Sequence, residues 1–209
     1  EWTDLATGKI NTADYSDKTA AVVVTLAGAS GAGVTVGGVA EDTISNVENV
    51  TGGSGNDVLT GDASTNRLDG GAGIDQLYGM GGTDHLIGGA AADVLDGGAG
   101  IDFANYSTAA AAVIASLVAP GGNAGDAVGD SYVSIEGLIG SAFDDTLAIG
   151  DGGGSIWANA GNDHVLAGLG SDDLHGMDGT DHLHGGAAAD ILDGGNGVDF
   201  ANYSSAAGP

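Results

Sequence analysis

Aspartate recurs in this chain at an interval that a set of ligands would need. Asp57, Asp75, Asp84, Asp93 and Asp102 fall on a nine-residue grid, and so do Asp145, Asp163, Asp172, Asp181, Asp190 and Asp199. Carboxylates in numbers can do two kinds of chemistry. A pair with one member kept protonated in a cleft can run acid–base catalysis. Ionised carboxylates can instead supply hard oxygens to a cation such as Ca²⁺, which collects about six to eight oxygen ligands. Read from Gly52, the text is GGSGNDVLT, GDASTNRLD, GGAGIDQLY, GMGGTDHLI, GGAAADVLD, GGAGIDFAN, with the aspartate at position 6 of each nine. Asn66 breaks the first series and Gly154 the second. A lone Asp beside Gly is ordinarily a turn former. Recurrence every nine residues among glycines favours cation ligation over turn formation.

The rest of each nonapeptide must position that carboxylate. Glycine at positions 1, 2 and 4 admits positive φ and a close approach of backbone to an ion. Position 8 is always apolar: Leu59, Leu68, Leu77, Leu86, Leu95 and Ala104, then Leu147, Ile156, Val165, Leu174, Leu183, Leu192 and Ala201. The last three residues therefore read as a very short strand, with position 8 pointing inward and positions 7 and 9 outward. One unit cannot bury its single apolar side chain, so units must stack.

This G-G-x-G-x-D-x-U-x period, held in register over residues 52–105 and again over 140–202, resembles the RTX (haemolysin-type calcium-binding) family. The resemblance implies an all-β fold, a right-handed parallel β-roll with two nonapeptides per turn, in two calcium-binding blocks joined by a wider irregular β coil. It also implies that loops n and n+2 stack with Ca²⁺ between them. The lower loop would give its Asp and the carbonyls of positions 2 and 4, the upper its Asp and the carbonyls of positions 1 and 3. Carried onto this chain, Asp57 and Asp75 share an ion with the carbonyls of Gly53, Gly55, Gly70 and Ala72. Asp75 and Asp93 share one with Gly71, Gly73, Gly88 and Ala90, and Asp84 and Asp102 one with Met80, Gly82, Gly97 and Ala99. In the second block Asp163 and Asp181 go with Asn159, Gly161, Gly176 and Asp178, and Asp181 and Asp199 with Met177, Gly179, Gly194 and Asn196. Asp172 and Asp190 go with Gly168, Gly170, Gly185 and Ala187.

Departures from the pattern mark weaker sites. Asn66 removes a charge opposite Asp84, Phe143 replaces the position 4 glycine before Asp145, and Gly154 leaves Asp172 without its lower partner. Ala91 and Ala188 also stand where glycine is usual, but keep their aspartates. Six well-formed sites remain, which would bring twelve positive charges to a chain of net charge −26. Glu48, nine residues before Asp57, starts the register in degenerate form. The histidines are expected outward, His85, His164 and His182 at position 7 and His175 and His184 at position 9. Imidazole suits Zn²⁺, Cu²⁺ or Ni²⁺, and His164 and His182 could stack beside His184, yet solvated surface histidines are the favoured reading.

Composition narrows the function classes. Only Lys9, Lys18 and Arg67 oppose 29 acidic residues, which excludes nucleic acid and anionic membrane as partners, since phosphate contacts need cations. No apolar run is long enough to span a bilayer, and residues 1–20 carry no secretion leader. There is no cysteine. No nucleophile elbow, zinc helix or phosphate loop occurs, and acids beside calcium are held ionised, so no enzyme is expected. Trp2, Trp157 and Tyr78 are read as packing rather than sugar platforms, and Phe103–Tyr106 and Phe200–Tyr203 as caps on the last turn of each roll.

The chain repeats itself on a longer scale. DYSDKTAAVVVTL (14–26) corresponds to NYSTAAAAVIASL (105–117), and residues 42–62 to 130–151. The alternation of Val22, Val24 and Leu26, and of Val113, Ala115 and Leu117, predicts strands in both. The expected organisation is a β lead-in coil over 1–51, a first roll over 52–105, a connecting β coil over 106–139, a second roll over 140–202, and the start of a further unit over 203–209. The chain reads as a piece of something larger. The expected function is a calcium-folded segment of a secreted or cell-surface protein, exported by type I secretion, in a surface layer, filament or adhesin that could include other copies of itself. The alternative is the carboxyl-terminal folding and secretion aid of a protease, lipase or epimerase.

Overall fold

The computed structural model describes residues 10–202. Two compact units divide the chain, residues 1–104 with 130–135, and residues 105–129 with 136–209. The stretch 106–139, expected as one connecting coil, is thus shared: 130–135 packs with the first unit and the rest with the second.

In the first unit, three-residue strands pair in parallel at an offset of two nonapeptides. Val58–Thr60 pairs with Gln76–Tyr78, which pairs with Val94–Asp96. Asn49–Thr51 pairs with Arg67–Asp69, which pairs with His85–Ile87. Consecutive nonapeptides therefore alternate between two sheets, and one coil takes two of them. Position 8 alternates into the space between the sheets. Leu59, Leu68, Leu77, Leu86, Leu95 and Ala104 are fully buried there, each leucine contributing about 1.5–3 kcal/mol. The expectation for position 8 holds because a three-residue strand has only its middle side chain on the inner face.

The lead-in coil breaks the parallel rule. Val22–Thr25 joins Val58–Thr60 in parallel but meets Ala32–Val36 antiparallel, and Ala32–Val36 meets Val39–Ile44 antiparallel. At the other edge, Ser131–Val133 pairs in parallel with Val94–Asp96.

The second unit repeats the scheme. Ser155–Trp157, Asp173–His175 and Ile191–Asp193 follow Gly137–Ile139 in one parallel sheet. Ile114–Ser116, Thr146–Ala148, His164–Leu166, His182–His184 and Phe200–Asn202 form the other. Val113 and Ala115 are buried as the alternation predicted. Each unit is thus an all-β solenoid of stacked parallel coils.

Positions 7 and 9 are less uniformly outward than expected. Ile87 and Phe103 are buried, and His85, His175 and His184 are half-buried. The two phenylalanines expected as end caps stand at position 7, off the core, so each extends a ring stack: Phe103 lies on His85 at 5.3 Å and Phe200 on His182 at 4.7 Å. Tyr106 is buried, while Tyr203 and Trp2 lie outside the described residues.

Candidate metal centres

Wherever position 1 is glycine, the aspartate of the grid folds back over its own loop. A Cβ on the position 1 glycines Gly52, Gly70, Gly79, Gly88, Gly176, Gly185 and Gly194 would collide with the Oδ2 of the aspartate five residues on. At these loops glycine provides space rather than a special φ, while alanine holds position 1 before Asp163 and Asp172, at Ala158 and Ala167. At position 4 the demand is conformational: Gly73, Gly82, Gly161 and Gly179 have φ of 125°, 114°, 135° and 150°, a region in which a side chain is strained. Ala91 and Ala188 take positive φ there too, at 108° and 78°.

Stacking then joins the loops in pairs. The backbone N–H of each aspartate donates to Oδ1 of the aspartate one coil above: Asp57 to Asp75 at 2.7 Å, Asp75 to Asp93 at 2.7 Å, and Asp84 to Asp102 at 2.8 Å. In the second unit Asp163 donates to Asp181 at 2.9 Å, Asp181 to Asp199 at 3.0 Å, and Asp172 to Asp190 at 3.1 Å. The same bond joins the places expected to be weaker, from Asp145 to Asp163 at 2.7 Å and from Asn66 to Asp84 and Gly154 to Asp172 at 2.8 Å, so the rung is common to the six expected pairs and to the irregular loops. The carbonyls gather around the same points. Gly70 O lies 2.7 Å from where a Cβ on Gly52 would stand, beside Asp57 Oδ2, and Gly97 O and Gly194 O take the same place over Gly79 and Gly176. Carbonyls of Gly55, Gly82 and Gly161 lie against the α-carbons of Gly73, Gly100 and Gly179 one coil above. Those of Gly53, Gly71, Met80, Asn159, Gly168 and Met177 accept the N–H of Ala72, Ala90, Ala99, Asp178, Ala187 and Asn196. The loops even form short ladders of their own, Gly81–Gly82 with Ala99–Gly100 and Asp178–Gly179 with Asn196–Gly197.

The donor set is a test of what could be held. Oδ2 of Asp75, Asp84, Asp93, Asp163, Asp172 and Asp181 is buried and accepts no hydrogen bond. A buried carboxylate oxygen without a partner is costly, and burial accordingly pushes Asp75, Asp84 and Asp163 up to about 7 and Asp93 up to about 6, with the stacked aspartates adding to the rise at Asp75, Asp84 and Asp163. Burial raises Asp172 and Asp181 as well. A cation would remove that penalty. Among the described residues no three His, Cys, Asp or Glu side chains converge on one point, so its shell would be two carboxylates and backbone oxygens. That is an all-oxygen set suited to Ca²⁺ rather than to metals that favour sulfur or imidazole.

The family comparison agrees with the geometry. The model of the RTX calcium-binding nonapeptide repeat, in four copies, matches residues 44–77, 69–104, 139–174, 149–183 and 166–201, more than half of the chain. The chain belongs to the RTX calcium-binding repeat family. Comparison with the curated proteins found no match. As an RTX protein it is a calcium-binding structural module, and RTX repeats are typical of secreted proteins. Among its described residues no helix is long and apolar enough to cross a membrane.

The irregular RTX loops are filled by side chains and backbone. Asn66 donates from Nδ2 to Glu48 O and accepts the Asp62 N–H, both at 2.8 Å. Asp145 Oδ2 takes the Ser141 N–H at 2.5 Å, and Oδ1 the Ser141 hydroxyl at 2.8 Å. Asp57, at the start of its row, accepts the Gly53 N–H at 2.6 Å and the Val22 N–H at 2.7 Å. Glu48 turns its carboxylate to the Asn11 N–H. The histidines are engaged with neighbours on the outer faces: His164 lies 6.1 Å from His182, and His175 stands between Asp173 at 3.0 Å and Asp193 at 3.8 Å, edge-on to Trp157. Sequence reasoning missed Asp130. It is buried, and its Oδ1 accepts the Asp93 N–H at 2.9 Å. The signal was present in Asp-Ser-Tyr-Val, which reads as positions 6 to 9 of a nonapeptide.

Proposed function

We propose that this chain is a calcium-folded segment of a secreted or cell-surface protein, disordered where calcium is scarce and ordered into rolls where it is plentiful. The observation that carries this reading is the set of six buried Oδ2 atoms that accept no hydrogen bond. Rows of such carboxylates repel one another, and a chain with 42 glycines loses much conformational entropy on ordering. Ion binding would supply what folding lacks, since binding free energy is then folding free energy. Extracellular calcium modules commonly have dissociation constants of about 10⁻⁴–10⁻³ M, so a cell interior would leave the chain unfolded for type I export and the exterior would fold it. Six sites are expected, at the six aspartate pairs. The near-identical text that closes each repeat block favours a structural array, with copies of this segment repeated or associated, over an enzyme's carboxyl-terminal aid.

The test is far-ultraviolet circular dichroism of the chelated chain at neutral pH during a calcium titration, with magnesium as control. A cooperative coil-to-β transition in calcium alone is expected. A chain already β-rich in chelator would sink the proposal.

A further inference from the structure

The aspartate row of the first unit does not stop at the last nonapeptide. It runs from Asp57 through Asp75 and Asp93 to Asp130, a residue 37 positions beyond Asp93 and outside every span that the repeat family matches. The join at Asp130 uses the same two bonds as the joins inside the repeats. Asp75 gives its N–H to Asp93 Oδ1 and receives the Val94 N–H on its carbonyl at 2.9 Å. Asp93 gives its N–H to Asp130 Oδ1 and receives the Ser131 N–H on its carbonyl at 2.9 Å. The strands on either side keep register, Val94 opposite Ser131 and Leu95 opposite Tyr132.

We infer that Asp93 and Asp130 hold a further calcium ion, built by a residue from outside the repeats. The inference rests on the calcium reading of the repeats and adds a site to it. The lower half is fully formed: Gly89 and Ala91, positions 2 and 4 of the loop, have φ of 94° and 108°, as Gly71 and Gly73 have 93° and 125° one coil below. Asp93 is 1 % exposed, and its Oδ2, folded over Gly88, is buried without a hydrogen bond. Asp130 is 3 % exposed and brings a second carboxylate to the same rung. No nonapeptide precedes Asp130, so fewer regular carbonyls face the ion, and this site fills last. The opposite end of the row provides the contrast. There Val22 occupies the rung below Asp57 and gives it only a backbone N–H, so no ion is held.

The experiment counts calcium ions bound per chain at saturation, by equilibrium dialysis, in the wild type and in Asp130→Asn, Asp93→Asn and Asp57→Asn. Asparagine keeps an oxygen for the rung hydrogen bond and removes the charge. Asp130→Asn is expected to lose one ion, drawn from the weakest class. Asp93→Asn, shared between two sites, is expected to lose two, and Asp57→Asn one. An unchanged count in Asp130→Asn, or a loss of one only in Asp93→Asn, overturns the inference and leaves the calcium reading intact. If Asp130→Asn does not fold, the Asp93→Asn count decides. A wild type that takes up no calcium overturns both.

Discussion

The last coil of each block is written in almost the same letters, DVLDGGAGIDFAN over 93–105 and DILDGGNGVDFAN over 190–202, and the two are buried very differently. Leu95 and Ala104 are fully buried and Phe103 is 6 % exposed, whereas Leu192 is half-buried, Ala201 is exposed and Phe200 is 49 % exposed. Val94–Asp96 lies between two strands, Gln76–Tyr78 and Ser131–Val133. Ile191–Asp193 pairs with Asp173–His175 and, among the described residues, ends its sheet. Loop geometry is nonetheless common to both: the position 1 glycines Gly88 and Gly185 are filled by Asp93 and Asp190 alike. In a solenoid the loop is a local property of one repeat, and burial is conferred by the next.

The largest expected effect separates covered carboxylates from solvated ones. Aspartate in an unfolded chain titrates near 3.9, while burial holds Asp75, Asp84 and Asp163 up to about 7 and Asp93 up to about 6. Between those values the cation-free roll binds more protons than the unfolded chain. Its stability is therefore fully present below about pH 4 and lost as pH rises through about 7. Circular dichroism in chelator should show β structure growing as pH falls through that window, and Asp93→Asn should shrink the response. A response in the opposite direction would mean that these carboxylates are not buried without calcium.

Next in size is the core. With calcium saturating, Leu95→Ala should cost about 2–5 kcal/mol, as large-to-small changes in a closed core do. Leu192→Ala should cost less than about 2 kcal/mol, because part of its surface is already wet. Urea unfolding measures both, and equal losses would erase the difference between the two coils. Local features should behave the other way. Gly88→Ala and Gly185→Ala each push a methyl group into the folded-back carboxylate, and both should cost about 1–3 kcal/mol, read as matching shifts in the calcium midpoint. The smallest effect is a gain: Ala91→Gly and Ala188→Gly remove positive-φ strain and should each stabilise by about 1 kcal/mol, seen as a rise in melting temperature.

Much of this was legible in the letters, for a physical reason. A nine-residue unit with one apolar side chain and one carboxylate has few ways to satisfy either, so the inward position 8 follows from the spacing, while the pairing of aspartates eighteen residues apart came from the resemblance to the RTX family. What escaped were features that depend on a partner outside the grid. Asp130 lies 37 residues from Asp93, so no nine-residue count reaches it. The antiparallel pairing of Ala32–Val36 with Val39–Ile44 escaped too, because Val39–Ile44 is exposed at all but its last residue and carries no alternation to announce a strand. Ile87 and Phe103 are buried at positions 9 and 7, where the letters of one repeat predict an outward side chain.

The rungs from aspartate N–H to aspartate Oδ1 have one more consequence, which concerns force. Each joins residues one coil apart, as the strand ladders do, so tension that separates neighbouring coils loads both together. Unravelling one coil frees eighteen residues, about 60 Å of extended chain. Pulled from its ends, a roll should lengthen in steps near that size, each step set by the loss of one coil's two rungs, one in each row, and its two strand ladders. A rod made this way gives ground a coil at a time and can rewind when the load is released.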